Sequence, residues 1–166
     1  EVYAKGQDIL FQVLSEKKWK ERNLIVNLYG KGENSDSLRK LKNYFELKNV
    51  NIEGHIDPNE IWKQCHALIL TSRYEGLPLA LVEAMLCGRL GIVTKVSGNP
   101  EVIIDNENGF LAKAASAEFV DEAMERAWKR RDEWSMIGSK SKEYIRSLIP
   151  EDPVAYFCNE LNELKL

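Results

Sequence analysis

Short apolar runs of strand composition alternate with stretches of helical periodicity along most of this chain, and that alternation limits the fold more than any other feature. Ile9, Leu10, Val13 and Leu14 recur at helical spacing, and Leu24-Ile25-Val26-Asn27-Leu28-Tyr29 then reads as a strand. The cycle repeats with Leu38, Leu41, Phe45 and Leu47 as a helix, Val50-Asn51-Ile52-Glu53 as a strand and residues 60–64 as a short helix. Ala67-Leu68-Ile69-Leu70-Thr71 predicts a third strand, residues 78–87 a helix and Gly91-Ile92-Val93-Thr94 a fourth strand. Runs as continuously apolar as Leu68-Ile69-Leu70 suit a parallel sheet covered by helices on both faces, so the predicted class is α/β with a doubly wound parallel sheet. After a short Gly109-Phe110-Leu111 strand the pattern becomes helical over 117–131, 134–148 and 154–164, a C-terminal tail in which Pro150 and Pro153 separate the last two helices.

With 166 residues the chain is long enough to bury a core without disulfides or structural metals. No repeat or linker divides it, so residues 1–166 are expected to form a single domain. Cys65, Cys87 and Cys158 make an odd count without paired spacing, which points to a reducing cytosol. No run approaches the roughly 20 apolar residues that span a bilayer, and no signal peptide is visible. A net charge of −3 leaves no footprint for nucleic acid. The one basic patch, Arg126, Lys129, Arg130 and Arg131, is interleaved with Glu125, Asp132 and Glu133 and reads as a solvated helix face. The first residue is Glu1, not Met, so the chain reads as cut from a longer one.

Two segments carry candidate ligand chemistry. Tyr29-Gly30-Lys31-Gly32-Glu33-Asn34-Ser35, with Glu53 on the next strand, partly imitates a dinucleotide fingerprint, but Ser35 stands where a third glycine belongs. The simpler reading is a strand-to-helix turn; the alternative is an NAD-binding module built on Gly30, Gly32 and Glu53. The more informative segment runs from Thr71 to Gly88 and begins where an apolar strand ends, the place where open α/β sheets bind ligands. Gly76 permits close backbone approach, Pro78 suits a first helical turn, and free amides around Leu77, Leu79 and Ala80 can hold phosphate oxygens. Glu83 lies within a helix apolar on nearly every side, where a carboxylate needs donors. Ligand hydroxyls or a buried Arg or amide could supply them, and Glu75 is either the other end of a ligand site or a solvated loop acid. Spacing alone leaves both readings open.

Glu75 and Glu83, set within Ser72-Arg73-Tyr74-Glu75-Gly76-Leu77-Pro78 and Glu83-Ala84-Met85-Leu86-Cys87-Gly88-Arg89, resemble the signature of the family 4 (group 1) retaining glycosyltransferases. Lys5-Gly6-Gln7-Asp8-Ile9-Leu10, Gly54-His55-Ile56-Asp57, Ser97-Gly98-Asn99-Pro100-Glu101-Val102-Ile103 and Asn108-Gly109-Phe110 resemble further markers in the same order. The resemblance covers Lys5 to about Leu111 and implies the C-terminal, donor-binding lobe of a Rossmann-like GT-B fold.

The resemblance further implies Lys5 and Glu75 as catalytic groups, with Lys5 facing the donor diphosphate and Glu75 the sugar hydroxyls. Ser72, Gly76, Leu77, Pro78 and Leu79 would line the donor, Glu83 would hold the ribose, and the His55-Ile56 turn would border the base through its backbone. The reaction implied is hexosyl transfer from a UDP- or GDP-linked sugar with retention, with no metal or other cofactor. The acceptor, a glycan or lipid, would be held by an absent N-terminal domain, in polysaccharide biosynthesis in the cytoplasm or at the inner membrane face. Two departures stand out: Leu90 replaces a usual Pro, and a phosphate-neutralising Arg on a first strand would lie upstream of Glu1. The chain is therefore expected to be inactive alone. A GT-B sugar-nucleotide epimerase or a noncatalytic scaffold is the further alternative. The side chain of His55 is expected to be that of an ordinary loop histidine, His66 to be packed or solvated, and Cys87 to be a small buried hydrophobe.

Overall fold

The computed structural model describes residues 2–164 apart from 31, 33 and 34. Expectations resting on Glu1, Lys31, Glu33 and Asn34 therefore lie outside the described residues.

The chain opens with three helices, α1 (Val2–Lys5), α2 (Gln7–Leu14) and α3 (Lys17–Glu21). Strand and helix then alternate through β1 (Val26–Leu28), α4 (Ser35–Tyr44), β2 (Val50–Ile52), α5 (Pro58–Gln64), β3 (Ala67–Leu70), α6 (Leu79–Leu86), β4 (Leu90–Thr94), α7 (Asn99–Val102) and β5 (Gly109–Ala112). The tail is α8 (Ala117–Lys129), a 3-10 turn at Arg131–Glu133, α9 (Trp134–Leu148) and α10 (Pro153–Glu163).

All pairings are parallel, but the strands form two sheets, β1-β2 and β3-β4-β5, where the sequence predicted one. No ladder joins β1 to β3 among the described residues, and every residue of β3 is partly exposed whereas all five of β4 are buried. β4 is the covered centre of its sheet, which is why its run is continuously apolar. Ile92 packs with Leu90, Phe110 and the helices α2 and α8, while its neighbour Val93 points to the opposite face, against Leu81, Met85, Val102, Ile103 and Ile145. Helices thus cover both faces, as doubly wound α/β architecture requires. The first core also takes in Val26 and Val50, so α2, through Ile9, Leu10, Val13 and Leu14, holds the two sheets to one interior.

Three expectations need correction. Arg126 and Arg130 are not a solvated face: Arg126 donates to Glu122, Asp105, Asn106 and the Leu111 carbonyl, and Arg130 donates to Glu133 and the Asn106 carbonyl. Both guanidinium groups also lie within 5.8 Å of the Phe110 ring centroid, so they pin α8 to the loop before β5. Cys87 is exposed, because it is the C-cap of α6 and the buried side of that helix is made by Leu81, Ala84 and Met85. For the same reason Glu83, on the flank of that buried side, is only half-buried.

Candidate functional site

The site is built where β3 ends. There α1 and the start of α2 cross the end of the strand, and the crossing is possible only because residue 6 has no side chain. Gly6 has φ +65°, and a Cβ on it would fall inside the Thr71 carbonyl oxygen. Thr71 Oγ1 donates to the Gly6 carbonyl at 2.7 Å and lies 3.4 Å from that of Lys5. The backbone of Lys5 is thereby held against the strand end.

From that anchor the Lys5 ammonium reaches Glu75, with Nζ 2.8 Å from Oε1 and 2.9 Å from Oε2. The Ser72 hydroxyl donates to Oε1 at 2.6 Å. Glu75 is 8% exposed, so its carboxylate is desolvated and needs these donors, whereas the Lys5 side chain is 52% exposed and free to meet a ligand from solvent. Ser72 is fully buried beneath Glu75, and its carbonyl accepts from Thr94 Oγ1 at 2.6 Å, tying the loop to the end of β4. Glu75 is therefore not the solvated loop acid that spacing had left open.

One residue further on, the chain turns into α6. Pro78 is its N-cap, with extended backbone, and its carbonyl accepts from the amides of Leu81 and Val82 at 2.9 and 3.3 Å. The amides of Gly76, Leu77, Leu79 and Ala80 donate to no acceptor among the described residues, and all four residues are exposed. A row of free N–H groups at the positive end of a helix, next to an ammonium, is an arrangement that attracts an anion. The loop 97–99 backs this turn. Gly98 N donates to the Gly76 carbonyl at 3.1 Å, and Asn99 Nδ2 holds the Thr94 carbonyl at 2.9 Å. A Cβ on Gly98 would lie 2.9 Å from Gly76 O and 3.2 Å from Leu77 Cα, so this approach also requires glycine.

Lys5, Ser72, Glu75, Gly76, Leu77, Pro78 and Leu79 are thus contiguous in space. The remaining candidates stand apart from this cluster. Glu83 makes no side-chain hydrogen bond among the described residues, so neither a buried Arg nor an amide satisfies it and its carboxylate remains available. His55 and Ile56 lie on an exposed loop after β2, where Gly30 N donates to the Gly54 carbonyl at 3.0 Å. They make no hydrogen bond to the Lys5–Glu75 pair; Asp57 beside them caps α5 by accepting from Asn59 N at 2.8 Å. His66 is exposed. Among the described residues a Cβ on Gly30 or Gly32 would meet no atom within 4 Å, so no close helix–strand approach to those residues depends on them, and Glu53 is exposed.

Sequence reasoning passed over Thr71, Thr94 and Arg73. The first two are buried hydroxyls at strand ends, legible as polar residues closing apolar runs. Arg73 lies within the Ser72–Pro78 segment, and a guanidinium two positions before Glu75 is the signal that could have found it. Among the described residues, no group of three or more His, Cys, Asp or Glu could hold a metal ion, and no helix is long and apolar enough to cross a membrane.

Comparison with known proteins bears on the family and the fold. An uncharacterized glycosyltransferase of Methanocaldococcus jannaschii is 27% identical over 151 residues, which cover 87% of this chain and 41% of that protein. Staphylococcus aureus TarM, solved as a mutant with fondaparinux, alpha-GlcNAc-glycerol and UDP, superposes with a TM-score of 0.84 at 23% identity, covering 96% of this chain and 32% of TarM. The C-terminal domain of the group 1 glycosyl transferase LpcC of Francisella tularensis superposes with a TM-score of 0.75 at 21% identity, covering 90% of this chain and 82% of that domain. At these identities the two structures establish the fold, a Rossmann-like lobe of the GT-B type with a helical tail. This chain spans about two-fifths of the length of the archaeal relative. The sequence profile described as glycosyl transferases group 1 matches residues 2–144, most of the chain, and the chain belongs to that family.

Proposed function

We propose that this chain is the donor-binding half of a glycosyltransferase that moves a hexose from a UDP- or GDP-linked sugar to a glycan or lipid acceptor with retention of configuration. The observation that carries this reading is the Lys5 ammonium on the buried Glu75 carboxylate, next to the free amides of Gly76, Leu77, Leu79 and Ala80. The UDP bound to TarM supports the nucleotide. Departure of a nucleoside diphosphate concentrates negative charge on its outer phosphate, and pre-placed donors in a partly dry site stabilise that charge without reorganising. Lys5 and the α6 amides supply those donors. Glu75 accepts from sugar hydroxyls and orients the ring; it is not assigned covalent attack. The open carboxylate of Glu83 accepts from the ribose, and the His55-Ile56 turn offers backbone groups to the base.

The acceptor site belongs to a second lobe, in keeping with the fraction of its relatives that this chain spans, and the chain alone carries out no transfer. The same reading places one further strand between β1 and β3, which no ladder joins among the described residues, and this suits the partial exposure of β3. The protein works at a cytoplasmic site in polysaccharide assembly.

Calorimetry and thermal melting with UDP, GDP and their sugars test the donor site. A nucleoside diphosphate is expected to bind, with Lys5→Ala weakening it about tenfold and Glu83→Gln by less, as loss of one charge-assisted contact implies. The reading fails if neither UDP nor GDP gives binding heat with this chain or with one extended upstream; tight NADH binding in their place would favour the dinucleotide module.

A further inference from the structure

We propose that Arg73 is the positioning residue that sets Lys5 against Glu75, acting with Asp8. α1 has only four residues, far below the length at which a helix holds itself, so its place must come from contacts outside it. Its last carbonyls have no intrahelical partner, and Arg73 takes two of them: Nη1 donates to Tyr3 O at 2.8 Å and the Arg73 amide donates to Ala4 O at 2.8 Å. The guanidinium then reaches across the start of α2, donating from Nη1 and Nη2 to the two oxygens of Asp8 at 2.8 and 2.7 Å. Its carbon lies 4.5 Å from the Tyr3 ring centroid.

These contacts land on residues 3, 4 and 8, on both sides of Lys5-Gly6, while the left-handed Gly6 rests on Thr71. Arg73 also lies between Ser72 and Glu75 on one short loop. One side chain therefore ties the carrier of the ammonium to the carrier of the carboxylate, and a planar fork that grips Asp8 in two places fixes angle as well as distance. Thr71 holds the Lys5-Gly6 carbonyls at the strand end, and Arg73 adds the grip on Tyr3, Ala4 and Asp8 that Thr71 does not reach. With its guanidinium donating to Asp8 and the Tyr3 carbonyl, Arg73 acts through Lys5.

This inference rests on the role given to Lys5 above, but its first test needs no ligand. Acylation of Lys5 by acetic anhydride, read by peptide mass spectrometry against Lys113 and Lys140 in the same molecule, reports how firmly the ammonium is held by Glu75. Arg73→Gln is expected to raise the relative rate at Lys5 about two- to fivefold, the range set by pairs of this exposure, and Arg73→Lys to raise it less. Asp8→Asn, which keeps the shape of the partner, gives the same direction and serves if Arg73→Gln does not fold, as judged by circular dichroism. An unchanged Lys5 rate in a folded variant overturns the proposal. The second test is the affinity for UDP: Arg73→Gln weakens it in the native background and adds nothing once Lys5→Ala is present. Additive losses would also overturn the proposal, whereas absence of UDP binding in every variant removes the donor reading and leaves the acylation result standing.

Discussion

Glu75 owes its state to three side chains that sequence order keeps far apart or leaves unremarked. Lys5 is 70 positions away, Ser72 lies under the carboxylate, and Thr94 fixes Ser72 from another strand. Lys5 and Glu75 were each legible from their motifs, but their pairing was not, because no local rule links a four-residue helix to a loop at the end of β3. Glu83 shows the reverse: the apolar residues around it suggested burial, but the helix turns them toward one side only and leaves the carboxylate half open. The glycine that permits the Lys5 crossing gives a direct prediction. Gly6→Ala is expected to cost about 2–4 kcal/mol in urea unfolding, because it combines a left-handed φ with a Cβ driven into the Thr71 carbonyl. Gly32→Ala, with open space around it, is expected to fall within about 0.5 kcal/mol of the native chain.

Elements with a long period or a clear stop were read closely. Helical spacing over 134–148 matches α9, Trp134–Leu148, and Pro153 begins α10 where proline was expected to separate helices. The short helices α1, α3 and α7 went unread, since four or five residues show no periodicity and their stability comes from what they touch. α7 and the loop before it matter to the site because Gly98 sits against the turn into α6. Gly98→Ala is expected to push Gly76 and Leu77 by a few tenths of an ångström, weakening UDP binding about threefold or more with a smaller effect on melting temperature. An affinity equal to that of the native chain would mean that the amides of that turn are not the ones used.

Across the whole molecule, the N-terminal helices are locked to the tail by a cluster between α3 and α8. Arg22 lies over the rings of Trp19 and Trp128, at 4.1 and 5.2 Å from their centroids, and donates to Glu125 at 3.1 Å. Lys18 and Trp19 Nε1 both donate to Asp121 at 2.6 Å. The Arg22 hydrogen bond, with Lys18 beside it, holds the Glu125 carboxyl below its ordinary 4.5, and the Arg73 fork likewise holds Asp8 below 3.8. Both groups bind a proton more readily in the unfolded chain, so their stabilisation is present above those ordinary values and is lost as pH falls through the lower folded ones. Melting temperature should therefore drop on acidification below about pH 4.5, and Glu125→Gln should flatten that drop while lowering stability at neutral pH. An acid profile that Glu125→Gln leaves unchanged would mean that this cluster does not set the acid sensitivity.

The sequence by itself determined the class, the strand order along the chain and the segment in which Glu75 precedes the turn into α6, because apolar periodicity and turn residues act within a few positions of themselves. Tertiary structure alone decided that the strands form two sheets joined through α2, that Arg126 and Arg130 clamp β5, and that Lys5, Ser72 and Glu75 make one group. Those outcomes depend on contacts between residues tens of positions apart, whose energies arise only when desolvation and backbone geometry bring the partners together.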